Sequence, residues 1–396
     1  MNFKRRISWI DICLTRDFKK MNRRIFGLIA SFAVAFIIGF SGCGGNQQSE
    51  TVNIGTTLDL TGPNATYGDQ VKKGLDLAVE EVNAQGGIQG KKIQITYLDS
   101  KSDPKLAVTN AQQLIAVNNS KLLLGEISSS ATQAMIPVVE QNGAFLFAPA
   151  SSSPKLTNVS KNFARNWPSD VAEAGSAAQF AKDKLNGGTA SIIYVNSDYG
   201  IGLKDKFTQV FESFGGKVVS SEPYEVGATD FRTLMLKVKA ADPEVIYLAG
   251  NPKEMGIAIK QLKDTNIPSK IVSDTGFLQN DCLSLAGVAA DGVIVPTPDY
   301  NPAESKDNRV SDFSKKFKAK YNADPTMVSA NAYDAIYLIK DAIEHVGNDP
   351  AKIAEFIRNK KNFNGAAGVV SFVDGDVEVP ITFKIIENGR PVNYAK

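Results

Sequence analysis

The stretch 122–157 (LLLGEISSSATQAMIPVVEQNGAFLFAPASSSPKLT) most constrains what this chain can fold into. Apolar runs at 121–124 and 144–148 are short and bounded by Gly or polar residues. They have the length of strands buried on both faces of a parallel sheet. Each run ends in small hydroxyl residues: Ser128, Ser129, Ser130 and Thr132 after the first, Ser151, Ser152 and Ser153 after the second. Between them, 132–141 has helical spacing, with Met135, Val138 and Val139 on one side. The segment therefore predicts a βαβ unit with hydroxyls at the carboxyl ends of both strands. In open α/β sheets that edge is where ligands bind. Hydroxyls at a helix N-terminus can receive an anion without a fixed cation. One such cluster is equally explained by helix caps and turns; two on consecutive strands predict a pocket.

The same alternation runs through the body of the chain. Strands are expected at 51–60 and 92–98, and helices at 71–82 and 105–117, before the two apolar runs. The order up to residue 157 is βαβαβαβ, the pattern of a parallel sheet covered on both faces. It restarts after Trp167-Pro168-Ser169, with Ser169 as helix N-cap. Helices are expected at 170–185, 202–214, 230–241 and 253–265, and strands at 190–195, 216–222, 243–249, 270–273 and 292–296. Further helices follow at 310–321, 327–346 and 350–360. The C-terminal region reads as two strands joined by a turn at Asp374-Gly375-Asp376. Two βα lobes suggest an interlobe cleft, a favoured place for a small-ligand site, and hinge closure as the motion.

Charge separates the N-terminus from the rest. The first 42 residues hold eight Lys/Arg against two acids, leaving 36 basic and 40 acidic residues, a net of −4, in the remainder. A slightly acidic body gives no reason to expect a nucleic-acid partner. Asn22-Arg23-Arg24 precedes an uncharged apolar run at 25–40, then Ser41, Gly42 and Cys43. This resembles a bacterial lipobox, with Cys43 acylated after cleavage, although Phe40 stands where that pattern prefers Leu. The alternative is an uncleaved membrane anchor, for which the run is slightly short. Residues 1–42 are thus read as an upstream extension and signal peptide, with Met21 opening a signal of normal proportions, and 43–51 as a flexible tether. Lipidation would hold a soluble domain at the membrane surface without a spanning helix. Cys282 is then the one cysteine of the body, an apolar filler with no disulfide partner.

Several apparent motifs fail. GGIQGKK at 86–92 is one residue short of a phosphate loop and lacks its Ser/Thr. His345, the one His of the chain, sits in a helical stretch and reads as structural. One His and one body Cys provide neither a zinc set nor a Ser-His-Asp triad. No cofactor is expected. Glu80 and Glu81 are adjacent on a helix and point apart. Asp374 and Asp376 lack the other ligands of a calcium loop.

The segments TGPNATYGDQVKKGLDLAVEEVNAQGGIQGKKI, YLDSKSDPKLAV, GEISSSATQAM, APASSSPKLT, YGIGL, TDFRTLM, NPKEMG and NAYDAIYLIKDAI together resemble the type I periplasmic binding proteins. More closely, they resemble the leucine/isoleucine/valine-type receptors of branched-chain amino acid ABC transporters, over essentially all of 52–393. The resemblance implies an α/β fold of two doubly wound, Rossmann-like lobes joined by a multi-strand hinge, the Venus-flytrap arrangement. Lobe 1 would comprise 52–168 plus 298–366, and lobe 2 would comprise 169–297 plus 367–396. It implies a monomeric, extracytoplasmic receptor without enzymatic activity that delivers a small solute to an ABC permease.

Carried over by motif, Ser129 and Ser152 would hold a ligand carboxylate. The Ala150 carbonyl would accept from an ammonium, with Ser151 beside it. Tyr67 and Tyr199 would form aromatic walls, one from each lobe, and Ile127 and Ser128 would line the side-chain end. The acidic residue that completes the ammonium site in leucine-type receptors aligns with Thr275, and an expected aromatic aligns with Asn251. Either Asp274 supplies the missing charge or the ligand lacks an ammonium group. An amino acid is the expected ligand. An aromatic or aliphatic acid, an amide, or a role in sensing for a partner protein stay open. An enzyme on the same fold lacks any nucleophile–base pair.

Overall fold

The computed structural model describes residues 51–302 and 305–395. The stretches read as signal segment and tether, with Cys43, lie outside the described residues. The alternating pattern folds as a doubly wound α/β protein of two lobes.

The first lobe begins with β1 (Val52–Leu58), α1 (Ala65–Ala84), β2 (Ile93–Asp99), α2 (Pro104–Ala116), β3 (Leu122–Leu124), α3 (Ser129–Gln141), β4 (Phe145–Ala148) and β5 (Phe163–Arg165). These strands form a parallel sheet in the order β2-β1-β3-β4-β5. β5, a three-residue edge strand, was too short to give a periodic signal in the sequence. Helix α1 starts six residues earlier than its apolar spacing suggests, so Tyr67 stands on its first turn.

The second lobe runs through α4 (Asp170–Asp183), β6 (Thr189–Val195), α5 (Asp198–Ser213), β7 (Lys217–Tyr224), α6 (Arg232–Ala241), β8 (Val245–Ala249), α7 (Pro252–Lys263), β9 (Lys270–Ser273), α8 (Asn280–Ala286) and β10 (Ile294–Pro298). The chain then returns as α9 (Asn308–Tyr321), α10 (Met327–Val346) and α11 (Pro350–Arg358). Apolar faces of α10 and α11 share one core with β1, β3, β4 and α1. Gly74 allows the close approach of α1 to α10, since a Cβ there would lie 2.2 Å from the Ser329 carbonyl oxygen.

The C-terminal region differs from the two-strand reading. It forms short strands β11 (Phe363–Gly365), β12 (Gly368–Val370), β13 (Phe372–Val373) and β14 (Asp376–Val377), then β15 (Ile381–Glu387) and β16 (Arg390–Asn393). The turn at Asp374-Gly375 closes the β13–β14 hairpin, with Asp374 at φ 51° and Gly375 at φ 90°. β15 instead pairs antiparallel with β10 and β16, extending the second sheet to the order β16-β15-β10-β9-β8-β6-β7. The local alternation could not tell which partner each piece would find, because pairing depends on distant strands. Cys282 is fully buried, as an apolar filler should be. His345 is exposed and stacked on Phe356.

Candidate functional site

Every β-strand of a parallel sheet hands its chain to a loop at the carboxyl edge, and here both sheets turn that edge toward the same cleft. The cleft holds a cavity of about 270 Å³. Its wall in lobe 1 comes from Asn64 and Tyr67 after β1, Ser102 after β2, Ile127 to Ser130 after β3, and Ala150 and Ser152 after β4. Lobe 2 adds Asp170 and Glu173 on α4, Asn196, Ser197 and Tyr199 after β6, Gly250 and Asn251 after β8, and Thr275 and Gly276 after β9. This is the position that the rule for open α/β sheets assigns to a ligand.

The two serine clusters are built differently. Ser128 caps α3, its Oγ accepting from the Ala131 N–H at 3.4 Å. Ser129 is buried and its Oγ accepts from the Ser153 N–H at 3.2 Å, tying the clusters together. The Ser152 carbonyl accepts from the Asp170 N–H at 2.9 Å, so the second cluster is fastened to the start of α4. Ser151 lies behind the wall: its hydroxyl donates to the Glu126 carbonyl at 2.5 Å and lies 2.6 Å from the Thr132 hydroxyl.

The structure thus brings Tyr67, Ile127, Ser128, Ser129, Ala150, Ser152, Tyr199 and Thr275 to one cavity. It does not place Ser151 or Asp274 on the wall. Asp274 caps the short 3-10 turn Thr275–Leu278, and its two oxygens accept from the N–H groups of Gly276 (2.7 Å) and Gly250 (2.6 Å). Asp170 and Glu173 escaped the sequence reading. Carboxylates in a helix's first turn are ordinary dipole partners, and only their i, i+3 spacing hinted at one shared face. Glu173 accepts from the Thr275 N–H at 2.7 Å and from its hydroxyl at 2.8 Å. Burial pushes the Glu173 carboxyl up to about 7, against the pull of those two hydrogen bonds. Burial likewise raises Asp170, helped by the charge of Glu173 and opposed by Ser152 and Arg165.

The lobes also touch around the cavity. Ser130 Oγ accepts from the Asp198 N–H at 3.1 Å, Lys155 pairs with Asp198 at 2.6 Å, and Thr66 donates to Asp281 at 2.8 Å. These contacts join the two sides of the cleft through polar groups.

Beneath the floor lie two further buried carboxyls. Asp59 Oδ1 accepts from Ser100 Oγ and the Ser102 N–H, and Glu126 Oε2 accepts from the Ile127 and Ser128 N–H groups. Burial raises both, and the charge of Asp59 raises Glu126 further. The folded state therefore holds more protons than the unfolded chain at intermediate pH, and this pair lowers stability as pH rises. Asp59→Asn should raise the unfolding free energy by about 1–3 kcal/mol at pH 8 and leave it unchanged at pH 3, where both carboxyls are protonated. Urea unfolding at the two pH values checks this; an equal change at both contradicts it.

Residues 51–385 match the family described as periplasmic binding protein. The chain is 30% identical over 356 residues to a Leu/Ile/Val-binding protein homolog of Brucella abortus, covering 89% of this chain and 94% of that one. The crystal structure of a leucine-binding protein from Thermotoga maritima superposes with a TM-score of 0.82 at 28% identity, covering 87% of this chain and 98% of that one. A branched-chain amino acid transporter substrate-binding protein from Streptococcus pneumoniae, solved with isoleucine, gives a TM-score of 0.78 at 26% identity, covering 87% and 100%.

Proposed function

The chain belongs to the periplasmic binding protein family, and from that premise we propose that it is the extracytoplasmic solute receptor of an ABC importer, taking a small carboxylate, foremost an amino acid, into the interlobe cleft. The observation that carries this reading is the convergence of two serine clusters from one lobe and Tyr67 and Tyr199 from both lobes on one cavity. Ser129 and Ser152 would donate to the ligand carboxylate, the Ala150 carbonyl would accept from an amine, and Ile127 and Ser128 would meet the side chain. A ligand touching both lobes binds the closed state better and so shifts the population toward it. A monomer that presents the closed form to a permease needs no covalent chemistry.

Names of relatives support the amino acid: the Brucella protein is called a Leu/Ile/Val-binding homolog and the Streptococcus protein holds isoleucine. No helix among the described residues is long and apolar enough to cross a membrane. Attachment through an acylated Cys43 is part of the proposal, and mass spectrometry of the mature N-terminus tests it. A thermal-shift screen of residues 44–396 against the amino acids and a panel of aliphatic and aromatic acids tests the receptor reading. A ligand at a hundredfold excess over its dissociation constant should stabilise the protein by roughly 2.7 kcal/mol. A screen in which neither panel moves the transition rejects a carboxylate receptor.

A further inference from the structure

Two asparagines on the cavity wall do not use their side chains as their positions suggest. Asn64 stands at the N-cap of α1 and Asn251 at the N-cap of α7, one in each lobe. An asparagine there ordinarily turns its side-chain carbonyl onto the first N–H groups of the helix. Neither does so here. Their amide nitrogens are spent elsewhere. Asn64 Nδ2 donates to Ser102 Oγ at 3.1 Å, and the same side chain is hydrogen-bonded to the Asp59 carboxyl. Asn251 Nδ2 donates to Glu254 Oε1 at 3.3 Å. The exposed Asn196, also on the wall, donates to Glu225 Oε1 at 2.8 Å.

A carboxylate accepts and does not donate, so it fixes which end of an amide it faces. With Nδ2 turned to Glu254, the Oδ1 of Asn251 faces the other way. Among the described residues, no donor reaches the Oδ1 of Asn64 or of Asn251. Neither oxygen is sealed in the core, and both side chains line the cavity although their residues are only 9% and 8% exposed. Two carbonyl acceptors, one from each lobe, are thus open to whatever fills the cleft.

We infer that Asn64 and Asn251 form an acceptor subsite for uncharged N–H groups, so that the ligand carries a carboxamide besides its carboxylate. This rests on the receptor reading above. A primary amide nitrogen has two N–H donors, one for each oxygen. A ligand that spends them on both lobes binds the closed state better. An apolar branch in the same place would leave both carbonyls dry and unpartnered, which is costly. A second carboxylate would set lone pairs against lone pairs. A cationic tail would give up water for neutral oxygens alone. Glu254 and Asp59 lie behind the amides, and the wall carboxyls Asp170 and Glu173 are engaged with Ser152 and Thr275.

The test uses isosteric pairs that exchange NH2 for CH3: glutaramate with 5-oxohexanoate, and L-glutamine with L-2-amino-5-oxohexanoate. The first pair lacks an α-amine and the second carries one, so the comparison holds whichever the cleft requires. The pairs one methylene shorter, built on succinamate and L-asparagine, allow for the length of the tail. Titration calorimetry on the mature protein should find that an amide binds and that its ketone partner binds roughly 10- to 100-fold more weakly. Asn64→Ala and Asn251→Ala should each shrink that ratio by weakening the amide and not the ketone. Neither side chain caps its helix, so both variants keep the fold. The ratio in the unaltered protein needs no variant at all. Three results overturn the inference and leave the receptor reading standing. One is a ketone within about threefold of its amide. Another is 5-aminopentanoate binding tighter than glutaramate. The third is an apolar member of the panels above, L-leucine among them, binding tighter than every amide. Silence from these compounds and from both panels overturns the two together.

Discussion

Arg165→Met should lower the unfolding free energy by about 3–5 kcal/mol, the usual loss when one partner of a buried ion pair is removed. Arg165 has no exposed surface and sits on the edge strand β5. Its Nε and Nη2 hold the Asp376 carboxylate at 2.7 and 3.0 Å. Nη1 donates to the carbonyls of Ser153 at 2.9 Å and Ser151 at 3.4 Å, and Nη2 also reaches Thr157 Oγ1 at 2.9 Å. Methionine fills most of the volume but leaves Asp376, at 17% side-chain exposure, and two carbonyls without this partner. The β13–β14 hairpin and the second serine cluster should loosen together, since this one guanidinium joins them. Asp376→Asn keeps a neutral acceptor and should cost less. Urea unfolding followed by circular dichroism measures both, and a loss under about 1 kcal/mol for Arg165→Met would show that the pair is not a structural tie.

Replacing Ser129 and Ser152 together by alanine should weaken ligand binding about 100-fold while leaving the fold intact. A hydrogen bond to a charged group contributes about 1.5–3 kcal/mol, and two such bonds lost from a carboxylate exceed the 2.8 kcal/mol that corresponds to a hundredfold. The fold is spared because the cap of α3 is Ser128, not Ser129, and because the Asp170 N–H stays fastened to the Ser152 carbonyl, although the Asp170 carboxyl loses the Ser152 hydroxyl. Ser129 does give up the bond from the Ser153 N–H, so a stability change of about 1 kcal/mol is expected. Titration calorimetry with any compound found in the screen measures the loss. A double variant that binds within threefold of the original protein would place the carboxylate elsewhere in the cleft.

The two serine clusters were legible in the sequence because a hydroxyl run directly after a buried strand has one place to go, the carboxyl edge of a parallel sheet. Tyr67 and Tyr199 were reached through the resemblance, and both stand on that edge. Asn196, Ser197 and Gly250 could have been found by the same rule, since each directly follows a strand of the second lobe. Thr275, reached by alignment, does line the cavity, whereas Asp274 was offered only as its neighbour. Asp274 is adjacent to Thr275 in the chain, yet its side chain turns back to cap its own loop. The place of Asp170 and Glu173 on the cavity wall had no comparable signal, because it depends on a contact with Thr275, 102 residues beyond Glu173.

By itself, then, the sequence determined the alternation of strands and helices, the two lobes and the hydroxyl-rich edge. All of these are set by periodicity and residue type within a few turns of chain. The tertiary structure alone decided which polar and charged groups meet. Arg165 finds Asp376 across 211 residues, and Glu173 finds Thr275 across 102. Glu126 lies within reach of the charge of Asp59 only because β1 and β3 are neighbours. The physical reason is that burial, not composition, sets the strength of a charge. A carboxylate is unremarkable on a helix in water, and its titration shifts only when packing removes its solvent.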